Sequence, residues 1–217
     1  MRWSPTSARS DAGTPRPCAW RARHVGLLLA ALLFLGGCVT RVVPPADVGA
    51  PAKVFMLDHG RHTSLVVSTP AGGLVRYAYG DWRYYAERET GPGHAIAALL
   101  WSTPGALGRR HLPGPPDSAS VRRQVPLVIQ ALYEIEVEQA RIEDLRAELD
   151  AIFAAAEREL ETPEADLVFV PHPRDYNLRH NSNTAIAGWL VKLGCEIRGP
   201  AILARWRIDP PTTGATR

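Results

Sequence analysis

The chain is poor in cysteine, with three in 217 residues: Cys18, Cys38 and Cys195. Cys18 lies in a basic leader and Cys38 at its end, so Cys195 is the one thiol left for a folded domain. That excludes an internal disulfide and any metal site built from several cysteines. The apolar run Val25–Leu35 (VGLLLAALLFL) falls short of the about 20 residues a membrane-spanning helix needs. No internal repeat is present. An excess of positive charge is missing too, once the leader is set aside. Residues 1–37 hold five Arg and one Asp, which leaves 20 basic and 21 acidic residues, about −1 net. Nucleic-acid binding, which leans on a basic patch to neutralise phosphates, has no footing here. Arg109-Arg110 and Arg122-Arg123 flank Pro- and Gly-rich sequence and read as solvated loop charges.

What the N-terminus does have is order. Arg16, Arg21, Arg23 and His24 precede the apolar run, the layout of a secretion signal. The run ends in Leu35-Gly36-Gly37-Cys38, which resembles the lipobox of bacterial lipoproteins. The resemblance implies cleavage before Cys38, lipid (palmitate among its acyl chains) on that thiol, and a membrane as partner. It places the chain in the cell envelope facing the periplasm. Val39 is not the Asp that often signals inner-membrane retention, so the outer membrane is favoured. The leader is long, and a start codon downstream of Met1 is open; Met56 comes too late. The expected plan is a signal over 1–37, a Pro-rich tether over 38–53, a domain over 54–208 and a disordered tail over 209–217.

Inside the domain, Val54–Leu57 and His62–Ser68 carry strand signals, and Gly72-Gly73 marks a hairpin before Leu74–Tyr79. A short helix is expected over His94–Trp101, and Pro104 to Pro116 reads as loop. Ala131–Glu138 alternates strictly, with Tyr133, Ile135 and Val137 on one face and three Glu on the other. Helical spacing runs through Gln139–Leu160 and again from Asn183 to Leu193, where Gly194 is the stop. This mixture, hairpins first, predicts an α+β fold with an antiparallel sheet packed on helices.

Two polar segments sit where chemistry favours them. His59-Gly60-Arg61-His62-Thr63-Ser64 enters a strand, and a histidine held by a sheet suits a general base. His180-Asn181-Ser182-Asn183-Thr184 opens the last helix, whose free amide donors favour a developing negative charge. For Ser182 and the two Asn, plain N-capping explains the same residues. Asp81 suits either an orienting partner of His62 or an ordinary turn. His59 and His62, three apart on an extended segment, point to opposite faces, so a shared metal ion needs a turn there; His172 and His180 are further candidates with no fixing spacing. Neither metal nor cofactor is expected. Trp82, Tyr84, Tyr85 and Trp101 are candidates to line a groove for a glycan or acyl chain, and core packing is the other reading of them. Cys195 reads as a buried structural thiol.

The segments Gly60-Arg61-His62-Thr63-Ser64, Tyr79-Gly80-Asp81-Trp82 and Asn181-Ser182-Asn183-Thr184 together resemble a bacterial family, domain of unknown function 2459, sometimes labelled urease-associated. The resemblance spans about Val54 to Ile197. Members typically read Gly-Trp-His-Thr-Gly, Gly-Trp-Gly-Asp and Asn-Cys-Asn-Thr at these places. That order is similar to circularly permuted papain-like (NlpC-type) proteins and implies their fold. It implies a site with Ser182, His62 and Asp81 in catalytic roles, and Asn181, Asn183, Tyr79 and Trp82 in binding. Ser182 stands where the family carries Cys, and a hydroxyl is far harder to ionise than a thiol. Two function classes follow. One is a degenerate site that binds a ligand or partner; the other is a hydrolase or acyltransferase acting on a peptide or acyl group. An envelope peptide, glycan or acyl ligand fits both.

Overall fold

The computed structural model describes residues 39–89 and 101–211. The signal expected over 1–37, the acylation expected at Cys38, all but Trp101 of the helix expected over His94–Trp101, and the tail from 212 onward lie outside the described residues. The chain divides between Gly37 and Cys38 into two units, and every described residue belongs to the second.

The order of elements is β1 (Thr40–Val43), β2 (Pro51–Asp58), β3 (Thr63–Ser68), β4 (Leu74–Asp81), a π turn (Trp82–Ala86), β5 (Thr103–Leu112) and helix α1 (Ser118–Gln124). It continues with β6 (Ala131–Glu138), α2 (Gln139–Ala154), β7 (Leu160–Thr162), β8 (Leu167–Tyr176), α3 (Ser182–Lys192), β9 (Glu196–Arg198) and β10 (Trp206–Ile208). Seven strands form one sheet in the order β6-β2-β3-β4-β5-β8-β7, antiparallel at every pairing. A second, three-stranded sheet runs β10-β1-β9. The fold is α+β, with a mostly antiparallel sheet packed on helices.

Side chains alternate across each strand, and this splits the core in two. Leu65 and Val67 of β3, with Val75, Tyr77 and Tyr79 of β4, face the main core under α2 and α3, where Ile142, Leu149, Ile186 and Leu190 meet them. Val42 and Trp206 of the small sheet join the same core. The opposite face carries two smaller apolar clusters. One sets Val66 and Leu74 against Val121 and Val125 at α1; the other sets Ala78 against Trp82, Leu167 and Phe169. Arg76 falls between Leu74 and Ala78 on that second face.

Four expectations need correction. The segment read as a tether supplies β1, whose Val42 is fully buried, and the first residues of β2. The domain therefore starts at Thr40, because these residues find partners in β9 and β10 far along the chain. Pro104 to Pro116 is not all loop, since 103–112 forms β5 between β4 and β8. Pro104 sits at a register shift where a missing N–H costs little. Gly105 and Gly108 are where the Arg174 carbonyl and the Phe169 ring approach too closely for a Cβ. The helix expected through Leu160 ends at Ala154, because 160–162 pairs with β8 instead. At the other end Asp209 belongs to the fold, donating its N–H to the Val42 carbonyl at 2.9 Å and pairing with Arg41 at 3.1 Å. β8 itself was not foreseen from the sequence.

Candidate functional site

The hairpin between β2 and β3 closes on Gly60, whose φ of +93° suits a residue without Cβ. His59 N–H bonds the His62 carbonyl at 3.0 Å across that turn, so the two imidazoles end on one side and stack at 4.9 Å. The turn that a shared metal would need is therefore present. Among the described residues, however, no group of three His, Cys, Asp or Glu gathers to hold an ion.

His59 Nδ1 lies 2.9 Å from the Val128 carbonyl, which can only accept, so that nitrogen carries the proton. Nε2, at 3.0 Å, then accepts from the Ser64 hydroxyl. Arg76 Nε donates to the same oxygen at 3.2 Å, and its Nη1 donates to the Ala165 carbonyl at 3.1 Å. Burial pulls His59 and His62 down to about 4, helped by the Arg76 charge. Burial likewise lowers Arg76 to about 10, which leaves it a cation at neutral pH. Ser64 is wholly inaccessible, and the space beside Arg76 and His62 is about 20 Å³, room for about one water. This Ser–His pair has catalytic atoms but no way in.

The three residues expected to act together each have contacts of their own. Thr63 points into the main core, where its hydroxyl donates to Asn183 Oδ1 at 2.8 Å and accepts from Trp206 Nε1 at 2.9 Å. His62, the neighbouring residue, therefore points to the other face. There its ring contacts are His59 and, edge-on at 5.6 Å, Tyr85. Ser182 begins α3 and is 2% exposed, beside Asn183, which meets Thr63 on the main-core face. Asp81 is spent elsewhere: one carboxylate oxygen accepts the Tyr84 N–H at 2.7 Å, the other the Thr103 hydroxyl. The charge acting on His62 is that of Arg76, not Asp81. Among the described residues no hydrogen bond joins Ser182, His62 and Asp81 to one another.

The expected binding residues are also bonded internally. Asn181 caps α3, accepting from Asn183 N–H at 2.9 Å and Thr184 N–H at 3.1 Å, and its own N–H bonds Thr184 Oγ1 at 2.8 Å. Asn183 donates to the Ile202 carbonyl at 3.2 Å. Trp82 is buried, bonded to Glu87 at 2.7 Å and covered by Arg158. Tyr85 packs on Phe169 and Tyr84, while Trp101 is exposed. Cys195 is buried, and burial pushes its thiol up to about 12, so it is inert.

Tyr79 leads to a site the sequence did not reveal. Its hydroxyl donates to the Arg174 carbonyl at 3.0 Å, and its ring sits 4.9 Å from His172 and 4.7 Å from His180. These residues, with Arg174, Arg179 and Thr184, line a cavity of about 320 Å³ beside α3. Among the described residues no carboxylate pairs with Arg174 or Arg179, whereas Lys192 at the cavity wall is paired with Glu148. His180 Nε2 is buried without a hydrogen-bond partner. Burial, aided by Arg174, lowers His180 to about 4, and burial lowers His172 as well. On its other side His172 lines a groove of about 790 Å³ with Ile152, Ala155, Ala156, Pro171 and Pro173. Both volumes lie in the range of small-molecule sites. The available sequence signal was His172-Pro-Arg174 followed by Arg179-His180, cationic groups bracketing a short segment.

Comparison of the chain with family models, curated proteins and solved structures found no match.

Proposed function

We propose that the protein is a lipid-anchored envelope domain, facing the periplasm, whose papain-like scaffold has lost its reactive centre and binds an amphipathic anion without turning it over. The anchor reading rests on Leu35-Gly36-Gly37-Cys38 behind the apolar run. The papain-like reading rests on the order of motifs, a histidine entering an early strand and a polar helix start later, on an antiparallel α+β frame. The reading of lost turnover rests on Ser182 standing at the helix start where the resembled family carries Cys.

The observation that carries the binding reading is His172, shared by an apolar groove of about 790 Å³ and a cationic cavity of about 320 Å³. An acyl chain gains by leaving water for the wall of Ile152, Ala155, Ala156 and Pro171. A carboxylate or phosphate head then meets Arg174 and Arg179, whose charges carry no partner carboxylate among the described residues, and the orphaned His180 Nε2. Dodecanoate is the probe, titrated calorimetrically into the mature chain with Cys38→Ala, so that no acyl chain of its own competes. Arg174→Gln weakens binding about tenfold, the loss of one charge-assisted contact. Ala155→Trp, which fills the groove, abolishes it, and uncharged dodecanol binds more weakly than dodecanoate. Dodecanoate binding that both substitutions leave unchanged would sink the assignment.

A further inference from the structure

We infer that the domain has no tether and docks directly on the bilayer through the loops around Val39, with Leu178, Ile202 and Leu203 entering the headgroup region. The inference rests on the anchor reading above and adds where, and how tightly, the domain meets lipid.

The argument begins with chain length. Thr40 is fully buried; its N–H donates to the Arg205 carbonyl at 2.8 Å and its hydroxyl to the Pro200 carbonyl at 2.9 Å. Cys38 precedes it by two residues, which span at most about 7 Å. A lipid on Cys38 therefore holds a residue welded into the fold within about 7 Å of the acyl–headgroup boundary, and that leaves no slack for the domain to stand off.

The surface around that point fits what it would meet. Eight large apolar side chains are exposed among the described residues, and four of them are Val39, Leu178, Ile202 and Leu203, at 42%, 45%, 37% and 39%. Hydrogen bonds hold their loops together. Asn181 donates to the Leu178 carbonyl at 3.2 Å and to the Ile202 carbonyl at 3.1 Å, and Asn183 donates to the Ile202 carbonyl too. Arg205 N–H bonds the Leu203 carbonyl at 2.8 Å, and the Arg205 carbonyl in turn accepts from Thr40 N–H, which links this loop to the start of β1. The asparagines that resembled a binding motif thus clamp the apolar loops. Arg179 is exposed beside these residues and suits anionic headgroups. Arg179 and His180 also line the 320 Å³ cavity, so its rim borders the docking face and an amphiphile can enter from the bilayer.

The test uses the full-length, acylated protein reconstituted in vesicles of zwitterionic and anionic phospholipid. Ile202→Cys and Leu203→Cys are each labelled with a polarity-sensitive dye, and Val128→Cys, 79% exposed outside this patch, serves as control; Cys195 is buried. Flotation and the mass of the N-terminal peptide report the anchor separately. With the protein floated, the 202 and 203 probes should shift to the blue and be quenched by lipids brominated near the headgroup, roughly twofold or more beyond the 128 probe. Floated protein whose 202 and 203 probes behave like the 128 probe would overturn direct docking and leave the anchor standing. Protein that neither floats nor carries acyl mass would overturn both.

Discussion

The two faces of the seven-stranded sheet treat polar side chains in different ways. On the α3 face, Thr63, Asn181 and Asn183 are spent on backbone carbonyls, helix amides and each other, and the neighbouring cations Arg174 and Arg179 stand at an open cavity. On the opposite face His59, Ser64 and Arg76 bond one another around a guanidinium with 1% exposure. The closed cluster looks more like an enzyme site, because it holds a serine, a base with a fixed tautomer and a cation. The open one has what a ligand needs, which is volume, unpaired charge and an apolar neighbour. Accessibility, more than chemical resemblance, separates them.

Four experiments sharpen the contrast, taken from the largest effect down. Leu190→Ala, at a fully buried position of α3, should cost about 4 kcal/mol in denaturant unfolding. Acid attacks the other face. His59 and His62 sit near 4 when folded, against an ordinary 6.5. The unfolded chain therefore takes up their protons first, and the stability they contribute is intact above about 6.5 and lost as pH falls toward 4. Each of the two should cost about 3 kcal/mol over that window, and His59→Gln with His62→Gln should flatten the profile. Asn183→Ala should lose about 2 kcal/mol, because it takes the acceptor from the buried Thr63 hydroxyl and one of two donors from the Ile202 carbonyl. Ser182→Ala should move stability by under about 0.5 kcal/mol, since its hydroxyl makes no hydrogen bond among the described residues. Labelling by a serine-reactive probe should be the same with and without Ser182; labelling lost in Ser182→Ala would restore the catalytic reading.

Much of the frame was legible where pattern and packing agree. The alternation over Ala131–Glu138 coincides with β6, and the apolar stripe ending at Gly194 coincides with α3 to within one residue. β5 was hidden because Pro104, Gly105 and Gly108 look like loop until the Arg174 carbonyl and the Phe169 ring are seen against them. β1 was hidden because four residues carry no periodicity and their partners lie more than 150 residues away. The motifs of the site were legible as well; their faces were not. If Thr63 points into the core, His62 cannot, and that parity becomes readable only when one contact of the strand is known. Arg76 offered a visible anomaly, a cation between Val75 and Tyr77 in an apolar strand. The cavity at His172 comes from β8 and α3 meeting, and no linear spacing encodes it.

The most direct test of the account follows the imidazole resonances of His172, His180 and His62 in one sample, titrated with pH in the absence and presence of dodecanoate. The account predicts that dodecanoate raises the His180 pKa from about 4 and shifts His172 with it, because the anion stabilises their protonated forms, while His62, which does not line that cavity, stays where it was. An unmoved His172 and His180, or a His62 that shifts as far as they do, would contradict it.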